Sequence, residues 1–220
     1  MPLVTARRTG LVDQVIEQLR AAVASGEWAI GQRIPNETAL VESLGVGRNT
    51  VREAVRALAH AGILEVRQGD GTYVRATSEV SGALRRLCCT EWRDVLQVRR
   101  ALEVEGARGA ALRRTDEDLA ELRDVLARRD AALAGTTDDF ARADAEFHLA
   151  VMRCSHNATL IELYRGLMEA ITASVATSYE ATMHAVDHSA LLEHIAAGDV
   201  EQAGRAAAAI IDSVLGDLLC

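Results

Sequence analysis

The stretch Thr38-Ala39-Leu40-Val41-Glu42-Ser43-Leu44-Gly45-Val46-Gly47-Arg48-Asn49-Thr50-Val51-Arg52-Glu53-Ala54-Val55-Arg56-Ala57-Leu58 decides how this chain is read. Its first part is a short helix, opened by Pro35-Asn36-Glu37 with Asn36 as the cap. Gly45 breaks that helix, and after Val46-Gly47 an amphipathic run from Asn49 to Leu58 extends until Ala61-Gly62 stops it. Two helices about a short glycine-containing turn make a helix-turn-helix. Upstream, Leu11, Val15, Ile16, Leu19 and Val23 recur at three and four residues, one apolar stripe on a first helix ending near Ser25-Gly26. Gly26 and Gly31 flank the turn around Trp28. Downstream, Ile63-Leu64-Glu65-Val66-Arg67 alternates, Gly69-Asp70-Gly71 turns, and Thr72-Tyr73-Val74-Arg75 alternates again, the pattern of a hairpin. Residues 1–76 therefore read as a winged helix-turn-helix.

The first turns of its third helix carry Arg48, Asn49, Thr50 and Arg52, where a recognition helix enters the major groove of double-stranded DNA. Arginine can grip guanine O6 and N7 with two bonds, asparagine can do the same for adenine, and threonine can bond a phosphate or touch a thymine methyl. Arg56, one turn on, is placed for the backbone. The plainer alternative is a small helical domain whose arginines only solvate a surface, or a winged helix that contacts protein.

The bulk numbers bound these readings. Of 220 residues, 49% are apolar and 25% charged, ordinary for a globular chain, and no apolar run reaches the ~18 residues of a membrane span. The start, Met1 to Arg8, lacks the apolar core of a secretory leader, so the expected location is the cytoplasm, with no membrane partner. Cys88, Cys89, Cys154 and Cys220 show no paired C-x-x-C spacing and read as buried thiols. Every basic residue is arginine, which says little about function. The net charge of −8 is unevenly spread: residues 1–76 carry +1 and residues 77–220 carry −9. DNA affinity must then come from a local arginine cluster and from pairing of two copies.

Residues 77–91, with Ser78, Ser81 and Gly82 and no clear period, read as a linker. Beyond it, Gly and Asp punctuate amphipathic stretches near 92–113, 116–134, 138–155, 158–181, 184–197 and 200–219, the pattern of an antiparallel six-helix bundle. The fold class is mainly α. Polar misfits sit on the apolar faces. In the third of these helices Asp144 and His148, four residues apart, fall on the face of Phe140, Phe147 and Val151; in the fifth, His188 lies on the face of Leu191, Leu192 and Ile195, whereas His194 points away. A carboxylate and neutral imidazoles suit zinc, nickel or manganese. A buried Asp144–His148 ion pair without metal explains the same three residues equally well. A three-ligand catalytic zinc is a further alternative, but Glu146, the nearest general base in sequence, projects to another side of the helix.

The N-terminal third resembles the GntR family of bacterial regulators. The resemblance is carried by Gly31-Gln32-Arg33-Ile34-Pro35-Asn36-Glu37, by Leu44-Gly45-Val46-Gly47-Arg48-Asn49-Thr50-Val51-Arg52-Glu53-Ala54, by Gly62-Ile63-Leu64 and by Arg67-Gln68-Gly69-Asp70-Gly71-Thr72-Tyr73-Val74. It implies that Arg48, Thr50, Arg52 and the wing glycine Gly69 contact an operator. Thr38 stands where relatives often have a DNA-contacting arginine, and Gly47 where they usually have Ser or Thr. The stretch Asp94-Val95-Leu96-Gln97-Val98-Arg99-Arg100-Ala101-Leu102-Glu103, the Asp144-x-x-Phe147-His148 motif, and His188 followed by Gly198-Asp199 are similar to the FCD effector domain of the FadR branch. That similarity implies a divalent metal on Asp144, His148 and His188 that helps to hold a carboxylate effector. The branch's fourth ligand falls at about Ile210, which cannot coordinate; His184 is the substitute, or the pocket is metal-free, as in members that bind acyl-CoA. Arg99 matches an effector-binding arginine, and an ion pair with Glu103 is its structural alternative. The whole implies a homodimeric repressor on an inverted repeat, released by a small acid.

Overall fold

A computed structural model describes residues 10–87, 92–175 and 186–217. The chain divides into two compact units, Met1–Arg86 and Leu87–Cys220. Within the first unit the order is α1 (Leu11–Ala24), α2 (Glu37–Leu44), α3 (Arg48–His60), β1 (Leu64–Arg67), β2 (Gly71–Val74) and α4 (Glu79–Leu87). Val15, Leu19 and Val23 of α1 bury against Val51, Ala54, Val55 and Leu58 of α3, joined by Leu40 and Ile63, while Leu11 at the start of the stripe stays exposed. Asn36 caps α2, its side chain accepting from the Ala39 amide at 2.9 Å, and Gly45 ends that helix in the left-handed conformation that a side chain resists. β1 and β2 pair antiparallel, Leu64 opposite Val74 and Arg67 opposite Gly71. Residues 31–34 line the outer edge of β2, where the Ile34 amide donates to the Thr72 carbonyl and the Gly31 amide to that of Val74. Helix, turn, helix and wing are thus all present.

The stretch expected to be a linker is partly a helix. α4 packs on the end of α3 through Ser81 and Gly82, and a Cβ on Gly82 would lie 2.8 Å from the Ala61 and Gly62 carbonyl oxygens. Its buried face is small and polar, so no apolar period announces it. Arg85 donates to the Arg75 carbonyl and Arg20 to Glu79 at 2.6 Å, fastening both ends of this contact within the first unit.

The second unit holds α5 (Trp92–Arg113), α6 (Asp116–Ala132), α7 (Thr137–Cys154), α8 (Ala158–Val175), α9 (Ser189–Ala197) and α10 (Val200–Asp217). The connections at residues 114–115, 133–136, 155–157 and 198–199 are of the length that joins neighbouring helices. Helix α5 packs against α7, α8, α9 and α10, and α6 against α7. Ala107, Ala110 and Ala111 of α5 bring backbones close, and Leu122, Phe147, Val151, Leu191, Ile195, Ile210 and Ile211 fill the core. Thr115 and Thr136 cap α6 and α7 by accepting from the amides of Asp118 and Asp139. Among the described residues no helix is long and apolar enough to cross a membrane. Cys154 is a buried free thiol, pushed up to about 12 by burial and by Asp118 and Glu121; Cys88, Cys89 and Cys220 lie outside the described residues.

Candidate functional site

In the first unit the burial of Val51, Ala54, Val55 and Leu58 turns the opposite face of α3 outward. Arg48, Asn49, Arg52 and Arg56 are exposed there and Thr50 is half-buried. Arg52 is held by Glu37 of α2, its Nε and Nη2 donating to the two carboxylate oxygens at 3.4 and 3.1 Å. Thr38 is exposed one residue further along α2. Gly69 sits at the wing tip with φ +78°, a conformation that favours glycine. Beside it Arg67 lies over the Tyr73 ring at 4.2 Å, and the Tyr73 hydroxyl donates to Asp70 at 3.0 Å. The start of α2 and the wing enclose a groove lined by Arg33, Asn36, Arg67 and Gln68.

In the second unit the structure brings Asp144, His148 and His188 together, one ligand atom from each lying within 4.8 Å of the others. Both histidines are buried. The Val186 carbonyl can only accept, so the 2.6 Å contact places a proton on His188 Nδ1. Glu103 does the same for His148, with Oε2 at 2.8 Å from Nδ1. Burial alone would raise the Glu103 pKa, but Arg99 and His148 hold it well below the usual carboxylate range, so it accepts. The two Nε2 atoms then face each other at 3.2 Å, and Asp144 Oδ2 stands 3.6 Å from His148 Nε2. Burial, His148 and Arg129 push the His188 pKa down to about 4, so that imidazole is neutral at pH 7. Two lone pairs opposed at this distance need a positive centre between them, either a shared proton or a metal ion. Donors 2.0–2.2 Å from one tetrahedral ion stand roughly 3.3–3.6 Å apart; the 3.2 and 3.6 Å separations lie close to that range, and the third, 3.8 Å from His188 Nε2 to Asp144 Oδ1, is slightly wider.

The fourth position is apolar: Ile210 is buried in the core cluster with Phe147 and Leu191, and His184 lies outside the described residues. Glu146 is exposed and bound to Arg128 at 2.8 and 3.1 Å, away from the centre. Arg99 donates to Glu103 Oε1 at 2.6 Å, which makes the ion pair a fact of the fold. Two members of the cluster escaped the sequence reading. Tyr164 donates to Glu103 at 3.0 Å, and Arg129, only 2% exposed, donates from Nε to Asp144 Oδ1 at 2.7 Å. Arg129 was visible in principle, because it occupies the next turn of the apolar stripe Leu122, Val125, Leu126.

Residues 11–74 match the profile of bacterial regulatory proteins of the gntR family, and residues 94–213 that of the FCD domain, more than half the chain. The chain belongs to the GntR family. This GntR-family regulator is 31% identical over 214 residues to an Escherichia coli (strain K12) protein provisionally named the L-lactate dehydrogenase operon regulatory protein, covering 89% of this chain and 81% of that one. It is 31% identical to the Glc operon transcriptional activator of Escherichia coli (strain K12), covering 80% and 73%. A Streptococcus agalactiae GntR structure superposes with a TM-score of 0.54 at 30% identity, covering 92% of this chain and 98% of that one. The GntR-family chain is therefore a DNA-binding transcription regulator with an effector-binding helical domain, and not an enzyme.

Proposed function

We propose that the regulator binds an inverted repeat in double-stranded DNA as a homodimer, with Arg48, Asn49, Thr50 and Arg52 reading base edges and Thr38, Arg56 and Gly69 at the backbone. The observation that carries this is the solvent side of α3, where Arg48, Asn49, Arg52 and Arg56 stand exposed on the first turns, beside and opposite the buried stripe. Two recognition helices related by a two-fold axis read two half-sites. The first unit reads DNA in the cytoplasm, and the helical unit, residues 92–220, pairs the subunits and senses an effector.

In the helical unit Asp144, His148 and His188 hold a divalent ion, zinc, nickel or manganese, and that ion supplies a Lewis-acid attraction for a small carboxylate. Arg99, with Nε fixed by Glu103, offers the rest of its guanidinium to the same carboxylate. A relative named for an L-lactate dehydrogenase operon supports a small acid as effector. The acid acts only through its different affinity for DNA-competent and DNA-incompetent states, and it releases a repressor. The Glc operon activator favours the opposite sign as the second reading, and promoter activity in a deletion strain separates the two. Gel-shift titration against the promoter of the protein's own gene tests the DNA reader. Arg48→Ala weakens binding about tenfold or more, the loss of one bidentate base contact; equal binding by both proteins removes α3 from that role.

A further inference from the structure

We propose that Arg129 is the positioning residue of the Asp144, His148, His188 centre, because one guanidinium fixes two of the three ligands. This rests on the metal reading above. Arg129 Nε donates to Asp144 Oδ1 at 2.7 Å and so sets the carboxylate's orientation, with Oδ2 3.6 Å from His148 Nε2 and Oδ1 3.8 Å from His188 Nε2. Arg129 Nη2 donates to the Val186 carbonyl at 3.3 Å, the same oxygen that takes the His188 Nδ1 proton at 2.6 Å. The side chain from α6 thereby ties the α7 ligand to the segment that leads into α9. Its third nitrogen, Nη1, donates to the half-exposed Asp130 at 3.2 Å, and its plane rests 4.9 Å from the Phe140 ring centroid. Each nitrogen is thus committed, and the group is locked in place by packing as well as by bonds.

The arrangement suits arginine alone. A planar fork can serve a carboxylate and a carbonyl in different directions at once, whereas a lysine ammonium is a compact point on a flexible stem. In metal sites, such outer partners orient the ligands, and their loss costs about 10–100-fold in metal affinity. Here the effect falls on two ligands together, and the centre has no fourth side chain among the described residues to compensate.

The test is zinc affinity by competition calorimetry and the visible absorption spectrum of the cobalt(II)-loaded full chain, for the parent, Arg129→Lys and Phe140→Leu. Circular dichroism and thermal unfolding of the metal-free proteins establish which variants are folded. Arg129→Lys keeps the buried positive charge and loses zinc affinity by about 10–100-fold, with an altered cobalt spectrum. Phe140→Leu removes only the ring beneath the guanidinium and loses a smaller factor. Parent-like affinity and cobalt spectrum in the folded variants overturn the proposal. If Arg129→Lys fails to fold, Phe140→Leu decides alone. A parent chain that takes up no ion sinks the metal reading itself, an outcome seen before any variant is compared.

Discussion

Gly47 begins α3 in an extended conformation and makes no side-chain cap, leaving the first amides of the recognition helix without a partner from that position. Its φ of −69° suits any residue, and nothing lies within 4 Å of where a Cβ would stand. Gly47→Ser is therefore expected to stabilise the first unit by a few tenths of a kcal/mol, read as a small rise in denaturant midpoint at unchanged slope; a drop would show that the position is not a free cap. Side chains on the periodic stripes were legible in the sequence, and so were Asp144 and His148, because a polar residue on an apolar face stands out; His188, expected on the apolar face of a helix over 184–197, instead stands at the N-cap of α9, which begins only at Ser189. The partners that orient these three were not legible. Glu103 entered only as a foil for Arg99, and Arg129 and Tyr164 not at all, since their roles depend on contacts 15 to 61 residues apart in the chain. The Val186 carbonyl carries no sequence signal of any kind.

Helices and hairpin followed from caps, breakers and period, since each element rests on signals contained within itself. Asn36, Gly45 and Gly198 mark ends that the structure reproduces. Helix α4 was missed because its buried face consists of Ser81 and Gly82, and only tertiary contact makes a helix of it. That contact is unusually close. Gly82→Ala forces a methyl to within 2.8 Å of two backbone oxygens that cannot swing aside, and is expected to destabilise the first unit by about 1–3 kcal/mol. Thermal unfolding checks this, and an unchanged midpoint would mean that α4 does not dock where described. Alanine is the better helix former by about 1 kcal/mol, so any destabilisation by Gly82→Ala reports the close contact and not lost helix propensity.

Across the whole molecule the two units divide opposite tasks. Residues 1–76 carry a net charge of +1, and the acid that makes the chain −8 lies in residues 77–220 of the sequence. The division was legible from charge and from the change of element type, although the boundary moved from residue 76 to 86 once α4 joined the first unit. Within the second unit the buried charges pair off, Arg99 with Glu103 and Arg129 with Asp144, which leaves two imidazoles facing each other across 3.2 Å. On the proposed reading a divalent ion sits between them. Elemental analysis of the purified chain after exposure to zinc, nickel and manganese, followed by desalting, measures it directly. About one ion per chain is expected, lost in both His148→Ala and His188→Ala; a folded parent that retains none of the three metals would rule the ion out.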